Sequence, residues 1–357
     1  MRTARATPIL AGVCALALGL TGCADRASDT PDAAGSGPAA ATSSQPDVNG
    51  DGKVVIGVIS PGDLNDNGYY ESFVSSAQTF ADSKGWSVIK IGSVNPANAS
   101  EQARNLCRQK VDLVALAAAE LKDAIPVAAD PECAKTAWYA PSSTDLEVTP
   151  YIALSRDFVN ESMLAAGYAN GILMRDAGMT KAGYITGPQA DFSVMGAKAF
   201  EVGLKMVVPS ATLATTYTGD FNDSAKAREA AQAQLSQGVQ ALYPYLGGAT
   251  DSVAELGSGK GAIISTPGTD RCGESAINWS VSVVFDPGAY FSAALKEFAD
   301  GKLAMGKMRE WHLGKDSVPT VLLCKGTDAQ KAELNAFIAK VGSGEIVPDK
   351  VIAQAGA

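Results

Sequence analysis

Histidine is almost absent: His312 is the one histidine in 357 residues. A single imidazole excludes most Ser-His and Cys-His nucleophile schemes. With no CxxC pair beside it, no metal site is expected, and His312 reads as a structural residue on a strand. The chain also lacks H-E-x-x-H, G-x-S-x-G and G-x-x-x-x-G-K-[ST]; Gly257-Ser258-Gly259-Lys260 has the wrong spacing for a phosphate loop. Paired-carboxylate catalysis stays open, but no pattern points to it. We therefore expect no cofactor, no catalytic residue and no enzyme activity. Basic residues are outnumbered 29 to 38, a formal charge of −9, which argues against nucleic acid or an anionic lipid surface as the main partner.

Long apolar runs are missing too, after the first one. Arg2 and Arg5 precede an apolar run, Ile9 to Leu20, that is too short to span a bilayer. Residues 1–22 read as a signal peptide. The run ends Leu20-Thr21-Gly22-Cys23, a lipobox pattern. The expected chemistry is a diacylglycerol thioether on Cys23, cleavage before it, and acylation of the new amine, which together anchor the protein firmly. Loss of Arg2 and Arg5 would take the charge to −11. Residues 23–52 are rich in Ala, Ser, Gly, Pro, Asp and Thr, and such a stretch cannot bury enough apolar surface to offset its ordering entropy. It reads as a flexible tether at the outer face of the cell membrane. Within it, Asp47-Val48-Asn49-Gly50-Asp51-Gly52 matches the first half of a calcium loop, but the twelfth position is Val58, where a carboxylate is needed. We read it as linker.

Removing Cys14 with the signal and Cys23 to lipid leaves Cys107, Cys133, Cys272 and Cys324. An even number in an oxidising compartment suggests two disulfides. Of three pairings, Cys107–Cys133 with Cys272–Cys324 is favoured because each pair falls within one stretch of fold; four buried thiols are the alternative.

From Lys53 onward the chain has globular composition and exceeds the length of one typical core, so two lobes are expected. Val54–Ile59 is an apolar run bounded by polar turns, a strand buried on both faces. Tyr69, Phe73, Ala77, Phe80 and Ala81 then recur at helical spacing, closed by Lys84-Gly85. Strands over 86–91 and 113–117 alternate with a helix over 99–110. The rhythm restarts with helices over 159–175, 194–206, 225–237, 289–298 and 328–341, the last capped by Asp328. Strands fall over 182–186, 213–217, 241–245, 262–265, 279–285 and 321–323. Alternation of this kind means α/β: two doubly wound parallel-sheet lobes with a cleft between them. Ligands bind beyond the carboxyl ends of such strands.

Four loops fall at those ends. Gly62-Asp63-Leu64-Asn65-Asp66-Asn67-Gly68-Tyr69-Tyr70 concentrates carboxylates, amides and phenols, which suit a polyhydroxylated ligand with a flat face. The same residues serve equally well as a turn that caps the next helix. Loops 187–192, 219–223 and 267–270 follow, with Phe192, Phe221 and Asp270.

These loops resemble those of the basic membrane protein (BMP) family, nucleoside-type substrate-binding lipoproteins of ABC importers. The family's D-K-S-F-N pattern is similar to Asp66-Asn67-Gly68-Tyr69-Tyr70. Its glycine-ended strand, F-x-x-G and proline are similar to Gly183–Gly187, Phe200–Gly203 and Pro209. Its G-x-F-x-D with a following lysine and Q-G is similar to Gly219, Phe221, Asp223, Lys226 and Gln237-Gly238, and a glycine-rich stretch to Leu246-Gly247-Gly248-Ala249. The resemblance implies a type I periplasmic-binding fold and a purine nucleoside, its ribose held by Asp66 and Asp270 and its base between Tyr69 and Phe221. It draws Glu120 and Phe192 into the cleft. The family's phenylalanine and asparagine are here Tyr69 and Tyr70, and the strand before Gly247 ends in Tyr245, so another small polar molecule, such as a sugar, is the alternative ligand. Lobe 1 is expected over 53–154 plus 269–311 and lobe 2 over 155–268 plus 312–357, with crossings near Leu154, Thr266 and Trp311. The expected partners are the ligand, an ABC permease and, through the lipid, the membrane. The expected state is a monomer. A sensory module signalling to a membrane receptor is the rival role.

Overall fold

The computed structural model describes residues 45–142 and 146–355. The expected signal peptide, Cys23 and most of the expected linker lie outside them. One sheet holds β1 (Val55–Ile59), β2 (Ser87–Ile91), β3 (Leu113–Leu116), β4 (Ala137–Ser142), β5 (Ala153–Asp157) and β11 (Met308–Trp311). Their order is β11-β5-β4-β3-β1-β2, and every pairing is parallel. The other holds β6 (Lys181–Thr186), β7 (Thr212–Tyr217), β8 (Ala241–Tyr245), β9 (Ile263–Gly268), β10 (Val281–Val284) and β12 (Thr320–Leu323), in the order β12-β10-β9-β8-β6-β7. Only its β10–β12 pair is antiparallel. Helices cover the sheets, and each lobe has the strand order 2-1-3 at its start. The crevice that this reversal opens lies past β1 and β3 in one lobe and past β6 and β8 in the other.

The helices are α1 (Tyr69–Lys84), α2 (Ala99–Arg108), α3 (Val159–Asp176), α4 (Asp191–Val207), α5 (Ser224–Ser236), α6 (Thr250–Gly259), α7 (Pro287–Ala299), α8 (Asp328–Ser343) and α9 (Pro348–Gln354). In the first lobe Phe73 of α1 stacks on Phe291 of α7 at 4.3 Å, and Phe291 on Tyr139 of β4 at 4.9 Å. In the second, α3 and α4 approach so closely that side chains are excluded. A Cβ at Gly203 would lie 1.9 Å from the Leu164 carbonyl oxygen, and one at Gly167 2.0 Å from that of Phe200. Both disulfides form, Cys107–Cys133 and Cys272–Cys324, the pairing favoured above.

Several expectations need correction. The second chain crossing is not near Thr266: β10 pairs with β9 and β12, so residues 269–284 belong to lobe 2 and the chain crosses between Val284 and Pro287. The other crossings lie between β5 and α3 and between β11 and β12. The fold also begins earlier than Lys53. Val48 is buried in the lobe 1 core, and the Asn49 amide donates to Asp112 Oδ1 at 2.8 Å and to the Lys110 carbonyl at 2.8 Å. The calcium-like loop binds itself: the Asp47 carboxylate accepts from the backbone N–H groups of Gly50, Asp51 and Gly52. Among the described residues no group of His, Cys, Asp and Glu is arranged to hold a metal. Thr327, not Asp328, caps α8, in a reciprocal capping box with Gln330.

The α3–α4 contact yields a stability test. Gly203→Ala forces a methyl into a backbone carbonyl and should cost about 1–3 kcal/mol. Urea unfolding would read this as a lower midpoint at unchanged slope.

Candidate functional site

The carboxyl ends of both sheets face one cavity of about 80 Å³, room for several waters. From lobe 1 it receives Tyr69 and Tyr70 at the start of α1, Ala119 and Glu120 after β3, and Ser142 at the end of β4. From lobe 2 come Phe192 at the start of α4, Phe221 after β7, Tyr245 to Gly247 at the end of β8, and Pro267 and Phe285 at the ends of β9 and β10. Glycines make room for these rings. A Cβ at Gly62 would lie 2.3 Å from the Tyr70 ring and one at Gly187 2.6 Å from that of Phe221. Gly247 brings the second lobe against Tyr70, and Gly268 brings it against Tyr69. The two lobes are therefore closed on one another.

The rings form a wall around the cavity. Phe192 is stacked on Phe221 at 6.0 Å, Tyr245 meets Phe192 and Phe285 edge-on at 6.3 and 5.8 Å, and Tyr69 lies 6.2 Å from Phe285. Polar groups are few. The Tyr70 hydroxyl donates to Glu120 Oε1 at 3.3 Å. Burial pushes the Glu120 carboxyl above its ordinary range, because the charged form loses water, and its hydrogen bonds only partly oppose this. The phenols of Tyr69, Tyr70 and Tyr245 are also pushed up, first by burial and then by carboxylates: Asp157 and Glu120 act on Tyr69 and Tyr245, and Glu120 on Tyr70. At neutral pH all three are hydroxyl donors.

Six of the eight residues expected in the site line this cavity: Tyr69, Tyr70, Glu120, Phe192, Phe221 and Tyr245. Two do not. Asp66 is the cap of α1: Oδ1 accepts from Gly68 and Glu71 N–H at 3.0 and 2.9 Å, and Oδ2 from Tyr70 N–H at 3.2 Å. Burial raises its carboxyl and these amides lower it. It sits at the cleft mouth, its Cβ 3.9 Å from where a Cβ on Gly248 of the other lobe would be. Asp270 is exposed and accepts from Cys272 N–H at 2.9 Å, an ordinary turn. Its neighbour Arg271 is the buried one, bonded to Asp251 and Glu274 and lying over the Trp279 ring at 4.6 Å. Ser142 and Phe285 were missed. Pro141 hid the strand that delivers Ser142, whereas Phe285 ended a strand that had been given to the wrong lobe.

Residues 53–346 match the family described as ABC transporter substrate-binding protein, PnrA-like. The chain belongs to that Bmp family. No curated protein matches it significantly. A solute-binding protein of an ABC transporter system from Conexibacter woesei is similar in fold, at 22% identity and a TM-score of 0.61 over 82% of this chain and 98% of that one. A second, from Aeropyrum pernix, shares 18% identity with a TM-score of 0.67 over 84% of each chain. The 5-methylthioribose-binding transporter protein of Thermotoga lettingae shares 12% identity with a TM-score of 0.54, over 84% of this chain and 97% of that one. As a Bmp-family protein the chain acts outside the cytoplasm, binding a small-molecule ligand and serving an ABC permease. Among the described residues no helix is long and apolar enough to cross a membrane.

Asp66 is thus a structural residue of this Bmp protein before anything else. Asp66→Ala should destabilise the fold by about 1 kcal/mol through loss of the cap. Denaturant unfolding without ligand would detect this, and an unchanged midpoint would contradict the capping role.

Proposed function

We propose that this protein captures a purine nucleoside between its lobes and delivers it to its permease, working as a monomeric lipoprotein held to the outer face of the cell membrane by acyl chains on Cys23. Binding is its whole chemistry on this reading; it catalyses no reaction. One observation carries the ligand assignment: an aromatic-walled cavity between the lobes, lined also by the half-buried carboxylate of Glu120 and by phenol hydroxyls. Rings from opposite lobes suit a flat base, and Glu120 with the hydroxyls of Ser142, Tyr69 and Tyr245 suits the hydrogen-bonding groups of a base and sugar. Asp270 is no longer part of the proposed site, and Asp66 reaches a ligand only at the cleft mouth. Lobes hinged in this way part for ligand entry and close again over it.

The test is a thermal-shift screen of the purified protein against nucleosides, bases, sugars and amino acids. A nucleoside at about a hundredfold excess over its dissociation constant should stabilise by about 2.7 kcal/mol. Phe221→Ala should weaken that binding by about tenfold or more, the usual scale for losing a base-stacking ring. A shift with sugars and none with nucleosides would leave the import role and replace the ligand.

A further inference from the structure

The charge inside the cleft is one-sided. Six aromatic rings and Glu120 line the cavity, and no lysine, arginine or histidine is among the described lining residues. The side-chain partner of Glu120 is a neutral phenol, Tyr70. Three cations on neighbouring elements have other partners. Arg271 is held by Asp251 and Glu274, and Lys226 by Asp223 at 3.3 Å. Arg156, in register with Ser142, lies over the Phe158 ring at 4.6 Å. A second carboxylate, Asp157, is near enough to disfavour ionisation of Tyr69 and Tyr245.

An ionised carboxylate in such a place is costly unless something brings a countercharge. Among the described residues no cation does so at Glu120. Aromatic faces carry negative charge density and attract cations, most strongly where water is excluded. Both features therefore favour the same kind of guest, a planar ring with a positive charge spread over it. A neutral ring would gain the stacking but leave the carboxylate uncompensated. An anionic one would be repelled.

We propose that the cleft selects a cationic aromatic ring, with Glu120 as the residue that reads its charge. This rests on the nucleoside reading and sharpens it: the preferred class is a nucleoside whose base is alkylated on a ring nitrogen and so positively charged at neutral pH.

Two isomers separate charge from size. N1-methyladenosine is cationic at neutral pH, and N6-methyladenosine, of the same composition apart from one proton, is neutral. Isothermal titration of the purified full chain should show the cationic isomer binding about tenfold more tightly or better, within the range expected of a desolvated cation–ring contact. Glu120→Gln keeps the shape and an acceptor for the Tyr70 hydroxyl while removing the charge. It should largely abolish the preference between the two isomers. Equal binding of the isomers, or a preference for the neutral one, overturns the charge inference and leaves the nucleoside reading standing. A preference that survives in Glu120→Gln overturns the role of Glu120. Binding of thiamine, a ring cation that is not a nucleoside, with no response to any nucleoside, supports charge selection and sinks the nucleoside reading. No response to either class sinks both.

Discussion

Two parallel sheets point their carboxyl edges at each other, and the rest of the structure follows from that constraint. The edges are where loops, free backbone groups and helix starts collect, so the space between the lobes is lined by whatever those loops carry. Three chain crossings, after β5, β10 and β11, hold the edges opposite one another while leaving the lobes as separately packed cores. Neither lobe contains the site. Tyr69, Tyr70 and Glu120 belong to one and Phe192, Phe221 and Tyr245 to the other, so the cavity exists only when the two are closed.

Closure has its own energetic logic. The rings that wall the cavity bury apolar area at little cost in side-chain freedom, and glycines at 62, 187 and 247 let them sit flat against backbone. The polar groups left inside are worse off. The Tyr70 to Glu120 hydrogen bond is long, at 3.3 Å, and desolvation disfavours the charge on Glu120. Apolar contact thus favours closure and desolvation of Glu120 opposes it, so a ligand that satisfied Glu120 would remove the opposition. Population shift toward the closed form needs only such a difference in affinity between the two forms.

Much of this was legible in the residues. Parallel-sheet strands read as apolar runs, and the alternation with helices is strong enough to give the fold class. Loops at strand ends then pointed to Tyr69, Tyr70, Phe192 and Phe221, which line the cavity. The failures are also physical. Asp and Asn cap helices with the same groups that bind sugars, and the three backbone donors that hold Asp66 are visible only in three dimensions. Asp270 likewise accepts from a turn N–H and lies outside the cavity lining. β4 carries Pro141 and β5 is a short run ending in Arg156-Asp157, so neither had a clear strand pattern. The second crossing was misplaced because pairing of β10 with β9 is a long-range choice that local pattern does not encode. The segment 45–52 has linker composition, yet Val48 and Asn49 dock it to lobe 1 through two side chains.

On the proposed reading, ligand is enclosed between lobes that move relative to each other. Pulsed dipolar spectroscopy would test it directly, with labels at the exposed positions 82 on α1 and 229 on α5, one in each lobe. Without ligand the distance distribution should be broad, and it should narrow to a single short distance when a nucleoside saturates the protein. The same distribution with and without a ligand that binds tightly would contradict it, because binding would then not engage both lobes.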